Sequence, residues 1–415
     1  MEFRDDAHAL RCAQGVKVQA AKLIYLVLVV VGKPIIRARQ TLFLFERHIG
    51  RNKRERNKSL RDLAEASRCR VLQRTAKNTK ICRSPAQWHT PPGKIEDMPK
   101  EWYISFHGGE EKMSFNNIHV YSTNGKELRK ALNKNSLPER IKLRELRGFL
   151  FGPDQNLYVV NAYFEYSEVL KFRGAVNENG QHDFIETFVK RHADKNPGID
   201  HPFHLAFDSE GDLYVSSQNT SLVARYHGPG SKTGTPGMPM PFPEGLDAKK
   251  GDLPPGTFVA SAKLVRNGLL EVRAVIFAPT NDLYVSDRAG DCVRIYESRT
   301  GRHLRNVVSR SDQLDKPIHL LLSPDGRYLL IGSGGNDSIL RHDLQQGATS
   351  IFVESKSGGL NGPAGMAFGD DGFLYVASRN SKEILRYDWI DGRPRGKPFI
   401  EVLPDNPEFL MLVRR

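Results

Sequence analysis

The sequence predicts an all-β chain whose body, residues 99–415, is a six-bladed β-propeller. Three observations carry that prediction. One phrase, an apolar strand, an Asp-Gly-like turn and then Leu-Tyr-Val or its like, returns five times in order. Each copy is followed by a third strand and a fourth, at a period of roughly 45 to 70 residues, which is the spacing of propeller blades. The chain also ends on N-P-E-F-L-M-L-V-R-R, Asn406 to Arg415, apolar where chain ends usually fray.

The repeated phrase reads F-L-F-G-P-D-Q-N-L-Y-V-V-N from Phe149, H-L-A-F-D-S-E-G-D-L-Y-V-S-S from His204 and A-V-I-F-A-P-T-N-D-L-Y-V-S-D from Ala274. It returns as H-L-L-L-S-P-D-G-R-Y-L-L-I-G-S from His319 and G-M-A-F-G-D-D-G-F-L-Y-V-A-S from Gly365. Short runs of Val, Ile, Tyr and Phe between Asp-Gly or Pro-Asp turns are antiparallel strands joined by tight hairpins. Third strands follow as V-L-K-F, V-A-R-Y, V-R-I-Y, I-L-R-H and I-L-R-Y. Fourth strands are expected at Phe184, Thr257, His303, Ser350 and Pro398.

The first unit lacks an inner strand. W-Y-I-S-F-H-G-G from Trp102, N-I-H-V-Y-S from Asn117 and K-E-L-R-K-A-L from Lys126 supply only its second, third and fourth strands. Pro407 of the terminal segment lines up with Pro202, Pro317 and Pro363, so that segment is expected to complete blade 1 and close the ring.

The formal charge of +13 does not belong to this body. Residues 33 to 85 carry 16 Lys/Arg against 4 Asp/Glu, whereas the chain from Pro99 onward sums to about +1. Residues 1–98 therefore read as a basic extension, poorly structured or partly helical. Nucleic acid is not the expected partner, because the tract around Arg51 reads as a solvated tail. The apolar run Leu23 to Gly32 is too short for a membrane span but long enough for a signal core. Membrane contact is expected only through residues 23–36; a signal there means a secreted or anchored protein, and otherwise a cytoplasmic one. The four cysteines form no C-x-x-C pair, which excludes a disulfide framework or zinc module.

Strand direction alternates within a blade, so the start of each inner strand and the end of each second strand share the face where the central funnel opens. Inner strands place Gly148, His204, Ala274, His319, Gly365 and Phe409 there, preceded in three blades by Arg147, Arg273 and Glu408. Second strands place His107, Asn161, Ser217, Asp287, Ser333 and Ser378 there, followed by Arg288 and Arg379. His204, His319 and Arg273 are the candidate acid, base and electrostatic groups. Asn161, Asp287 and His107 are the candidate ligands of a divalent cation, Ca, Mg or Zn. The bland alternatives are histidines that only line a wet channel and an Asp287 that caps a turn. The segment from His227 to Gly256, with seven prolines and seven glycines, reads as a mobile or partner-binding loop on the opposite face.

G-G-L-N-G-P-A-G-M-A-F-G-D-D-G-F-L-Y-V-A-S-R-N-S-K-E-I-L-R-Y-D (Gly358 to Asp388) and Y-V-S-D-R-A-G-D-C-V-R-I-Y from Tyr284 resemble the NHL-repeat and streptogramin-lyase-like six-bladed propellers. That resemblance implies either a scaffold binding a protein, peptide or glycan at the funnel, or a metal-assisted lactone hydrolase or lyase acting on a small molecule. Lactonases of this kind hold a metal with Glu, two Asn and Asp. Here Glu408, Asn161 and Asp287 stand in comparable places, with Ser217, Ser333 and Ser378 at the others. Streptogramin-type lyases use histidine and acidic residues around magnesium, which His204 and His319 would match. A monomer is expected, and whether the chain is an enzyme is left open by the residues.

Overall fold

A computed structural model describes residues 99–414 apart from 192–197 and 247–252. The extension, the run at 23–36 and the basic tract lie outside the described residues. Six sheets stand in sequence order around one axis. Blade 1 joins β1 (Lys100–Phe106), β2 (Ile118–Ser122) and β3 (Glu127–Lys130) to β23 (Pro407–Arg414). Blade 2 is β4 (Leu146–Phe151), β5 (Leu157–Asn161), β6 (Glu168–Val176) and β7 (His182–Val189). Blade 3 is β8 (Pro202–Phe207), β9 (Leu213–Ser217), β10 (Leu222–Tyr226) and β11 (Thr257–Val259). Blade 4 is β12 (Val272–Phe277), β13 (Leu283–Asp287), β14 (Cys292–Tyr296) and β15 (His303–Val308). Blade 5 is β16 (Pro317–Leu322), β17 (Tyr328–Ser333), β18 (Ser338–Asp343) and β19 (Thr349–Val353), and blade 6 is β20 (Pro363–Phe368), β21 (Phe373–Ser378) and β22 (Glu383–Asp388).

The terminal segment closes the ring as its apolar pattern requires. Leu410 lies opposite Ile104, Met411 opposite Tyr103 and Leu412 opposite Trp102, antiparallel throughout. Leu410, Trp102 and Ile104 then pack against Ala364, Tyr375 and Ala377 of blade 6, one of six apolar clusters that separate successive blades. A strand with apolar residues on both faces suits this place, because both faces of a blade are covered by neighbours.

Blade 6 departs from the expected four strands. The segment from Pro398 meets β22 only at a bridge between Ile384 and Ile400. Pro394 and Pro398 carry no N–H, so no continuous ladder forms there. The loop from His227 also differs from the mobile reading. Its described part folds back on blade 3, with Gly237 N–H donating to the His227 carbonyl (2.8 Å) and Met240 N–H to that of Arg225 (2.9 Å). Gly245 N–H donates to Thr300 of blade 4 (2.8 Å), so the prolines stiffen a strap between two blades.

Third-strand cations brace the blades. Lys171 lies 5.6 Å from the ring centroids of both Tyr158 and Phe188. Arg341 lies 4.9 Å from Phe352 and 5.1 Å from Tyr328. Arg225 and Arg386 each lie over one ring, Phe258 and Phe399, while Arg294 pairs instead with Asp287.

A Cβ on Gly365 would stand 2.7 Å from the Phe409 Cα, a backbone atom of the closing strand. Gly365→Ala is expected to lower the urea unfolding free energy by about 1–3 kcal/mol, the usual cost of overpacking. Unfolding as stable as the parent's would show that β20 and β23 are not packed this closely.

Candidate functional site

Every inner strand is irregular at its funnel end. Register shifts occur between Leu146 and Phe149, Pro202 and His204, Val272 and Val275, Pro317 and Leu320, and Pro363 and Met366. The closing strand has the same break beside Phe106. Such bulges re-aim side chains. Here they turn two successive residues of each blade towards the axis.

Second-strand serines hold these bulges in place. His204 N–H donates to Ser216 Oγ (3.0 Å), and Ser216 donates to the Arg273 carbonyl of the next blade (2.5 Å). Ala274 N–H donates to Ser286 Oγ (2.7 Å), and Ser105 donates to the Arg147 carbonyl (3.0 Å). Bulge amides that would otherwise be orphaned are satisfied, and neighbouring blades are joined.

The inner ring alternates large and small: Phe409, Gly148, His204, Ala274, His319 and Gly365 in blade order. The three rings meet on the axis, with centroids 5.4 Å apart for His204 and His319, 5.4 Å for His204 and Phe409, and 5.1 Å for His319 and Phe409. His204 Nδ1–H donates to the Val275 carbonyl (3.0 Å). His319 is 4 % exposed and neither ring nitrogen has a partner among the described residues. Burial lowers the His204 imidazole to about 4. Burial and then His204 push His319 well below an ordinary histidine. The floor of the funnel is therefore uncharged at neutral pH. Beside it lies a cavity of about 10 Å3, room for one water.

Above the floor is a charged layer. Arg147 is 2.7 Å from Glu408 and 2.9 Å from Glu145. Arg379 Nε donates to Glu408 at 2.8 Å, and His107 Nδ1 is 3.1 Å from the same carboxylate. Burial alone would raise the Glu408 carboxyl, but Arg147, the His107 hydrogen bond and Arg379 outweigh it and hold it far below the carboxylate range. Across the funnel, Glu271 accepts from Arg273 (2.5 Å) and Arg288 (2.8 Å). Arg273 stacks on Phe203 at 5.3 Å, and burial brings it down to about 10 against the pull of Glu271.

The other sequence candidates take different places. Asp287 is fully buried, accepts from the amides of Glu271 (2.9 Å) and Leu270 (3.2 Å), and pairs with Arg294 at 2.6 Å. Asn161 accepts from Arg144 N–H (2.7 Å) and donates to the Lys142 carbonyl (2.9 Å). Ser217, Ser333 and Ser378 bond in the same way to Asp200, Asp315 and Asn361. These residues anchor the loop leading into their own inner strand, and in this arrangement neither Asn161 nor Asp287 turns an oxygen to the axis. His107 is a correction of register. Phe106, opposite Pro407, occupies the place of Asn161 and Asp287, and His107 stands one residue further, level with Arg288 and Arg379. Among the described residues no three His, Cys, Asp or Glu side chains converge as a metal site.

Glu145 and Glu271 were not among the sequence candidates. The signal was the shared E-x-R of Glu145-Leu146-Arg147 and Glu271-Val272-Arg273 at the same point of two blades. Glu145, His201 and Lys316 have φ of 46°, 52° and 50°, a left-handed turn immediately before the inner strand. In blades 2 and 3 that turn brings Glu145 to Arg147 and His201 within 3.4 Å of Glu145.

No family model matches the chain, and no curated protein does. Among solved structures it is similar to a chain of the nidogen/laminin complex, with 12 % identity, TM-score 0.48, and coverage of 75 % of this chain and 98 % of that one. It is also similar to streptogramin B lyase, with 11 % identity, TM-score 0.48, and coverage of 77 % and 95 %. Virginiamycin B lyase from Staphylococcus aureus follows with 13 % identity, TM-score 0.41, and coverage of 64 % and 73 %. These are likenesses of fold. Six radial sheets closed by the last strand make the described chain a six-bladed β-propeller. Among the described residues no helix is long and apolar enough to cross a membrane.

Between about pH 6.5 and pH 4 the unfolded chain binds protons that folded His204 and His319 refuse, so stability is full above the unfolded value and lost as pH falls through that window. His204 alone corresponds to roughly 3 kcal/mol. His319→Phe is expected to be as stable as the parent at pH 7.5 and to lose less on acidification. Urea midpoints against pH measure this, and a parent midpoint flat from pH 7 to pH 4 would show that the floor histidines are not held neutral.

Proposed function

We propose that the propeller is a binding scaffold that takes a protein, peptide or glycan segment across its funnel face. The observation that carries this reading is the sealed floor. Small-molecule sites are concavities of roughly 300–1,000 Å3, whereas the axial cavity holds about 10 Å3. The floor cavity does not admit a small molecule, and the exposed charges of this face lie on the rim, where Arg288 and Arg379 are each about one-third exposed. Rim contacts of this kind suit a polymer carrying carboxylates or other acceptors, since guanidinium forks bind them in two-point fashion.

A metal-assisted lactone hydrolase or lyase is the alternative, and the unpartnered imidazole of His319 is the one feature that favours it. Displayed peptides and a glycan array can be probed with the full chain, with and without divalent cations. Ligands whose affinity drops about tenfold or more in Arg288→Ala and Arg379→Ala support the scaffold. Ligands indifferent to both changes overturn it. Cation-dependent turnover of a lactone, abolished in His319→Phe while that variant stays folded, would establish the alternative.

A further inference from the structure

The outer seam between blades 1 and 2 holds a cavity of about 210 Å3, away from the funnel floor. Its walls come from the β1–β2 loop (Ser114, Asn117), the end of β3 (Lys130), the short helical turn Lys134–Ser136 and the β6–β7 turn (Gln181). Two ammonium groups and five amide or hydroxyl side chains line it, Leu132 being the one apolar residue.

The wall is rigid. Asn117 Nδ2 donates to the Leu132 carbonyl (3.0 Å) and its Oδ1 accepts from Leu132 N–H (3.0 Å). Asn133 Nδ2 donates to Asp183 (2.7 Å), which also accepts from Asn177 (2.9 Å). Gln181 Nε2 donates to the Lys130 carbonyl (3.3 Å).

The charges are not balanced. Lys130 is 2.6 Å from Glu127 and 2.8 Å from His119 Nδ1. Lys134 has no carboxylate partner among the described residues; its ammonium reaches only the Met113 carbonyl, at a long 3.4 Å. Burial first, and then Arg144 and Lys130, hold Lys134 below an ordinary lysine. Lys134 is exposed, and its ammonium, beside Arg144 and Lys130 and without a carboxylate of its own, is available to a bound anion.

We propose that this seam is a binding site for a tetrahedral oxyanion, phosphate or sulfate, held by Lys134 and Lys130 with the side chains of Ser114 and Asn135 as neutral partners. A tetrahedral dianion suits the site because it presents several acceptors at once to donors from three places, the β1–β2 loop, the end of β3 and the turn that follows it. A carboxylate offers two oxygens in one plane and would leave part of the wall unpaired. The site does not depend on the reading of the funnel.

The test uses the full chain, titrated with inorganic phosphate and with sulfate against sodium chloride at equal ionic strength, following the thermal midpoint and side-chain amide resonances. Phosphate or sulfate should raise the midpoint saturably above chloride, because a ligand that binds only the folded state stabilises it by mass action. Lys134→Gln should be at least as stable as the parent without the oxyanion, and its apparent Kd should be weaker by about tenfold or more. Lys134→Arg should retain binding. Phosphate binding that strengthens from pH 6 to pH 8 while sulfate binding stays level assigns the phosphate dianion; the reverse preference assigns sulfate. Midpoint gains no larger than those in chloride, or equal gains in Lys134→Gln, would overturn the proposal.

Discussion

Three rings on one axis constrain the rest of this propeller. Phe409, His204 and His319 come from alternate blades, and their contacts at 5.1–5.4 Å leave room between them only for glycine or alanine. Gly148 and Gly365 are small for that reason: a Cβ on Gly148 would meet His204 at 3.0 Å, and one on Gly365 would meet the closing strand. Alternation of large and small side chains between neighbouring strands is how a closed barrel fills its interior, and the six blades use the same solution. The closing strand therefore has two roles. It completes the first sheet and supplies the third ring.

Much of this architecture was legible because each blade repeats one phrase under one set of demands. Apolar alternation, a turn residue and a bracing Lys or Arg return wherever the geometry returns, so Lys171 and Arg341 could be seen in the sequence before their aromatic partners were placed. The gap in the first unit and the apolar end at Phe409–Val413 pointed to each other. Blade 6 was less legible, because a run such as Pro398–Leu403 looks like a strand until its missing donors are counted.

The site was read less completely, for reasons that are also physical. A bulge shifts register by one, and the sequence does not mark it, so His107 was placed level with Asn161 when Phe106 holds that position. Small polar residues at strand ends look like ligands in a sequence. In the fold, Asn161, Asp287 and the serines at 217, 333 and 378 spend their hydrogen bonds on the chain entering their own blade. Glu145 and Glu271 escaped notice because they precede the repeated phrase.

An uncharged floor also changes what the charges above it can do. With neutral rings and apolar blade faces beneath, the Arg–Glu pairs of the funnel act in a medium of low polarisability, where each contact is stronger than on an open surface and each unpaired group more costly. Four guanidinium groups, Arg147, Arg273, Arg288 and Arg379, face three carboxylates, Glu145, Glu271 and Glu408, so one cation is in excess. His107 sits where the two arms of this layer could be balanced differently. Its Nδ1 is 2.8 Å from Arg147 Nη1 and 3.1 Å from Glu408 Oε1. As a bare acceptor that nitrogen can take a hydrogen bond from Arg147 or, at 3.4 Å, from Arg379; in the tautomer that carries its hydrogen there, it donates to Glu408. The tautomer of His107 thus decides whether its ring supports the arginines or Glu408, and with it how firmly the one-third exposed guanidinium of Arg379 is tied into the layer.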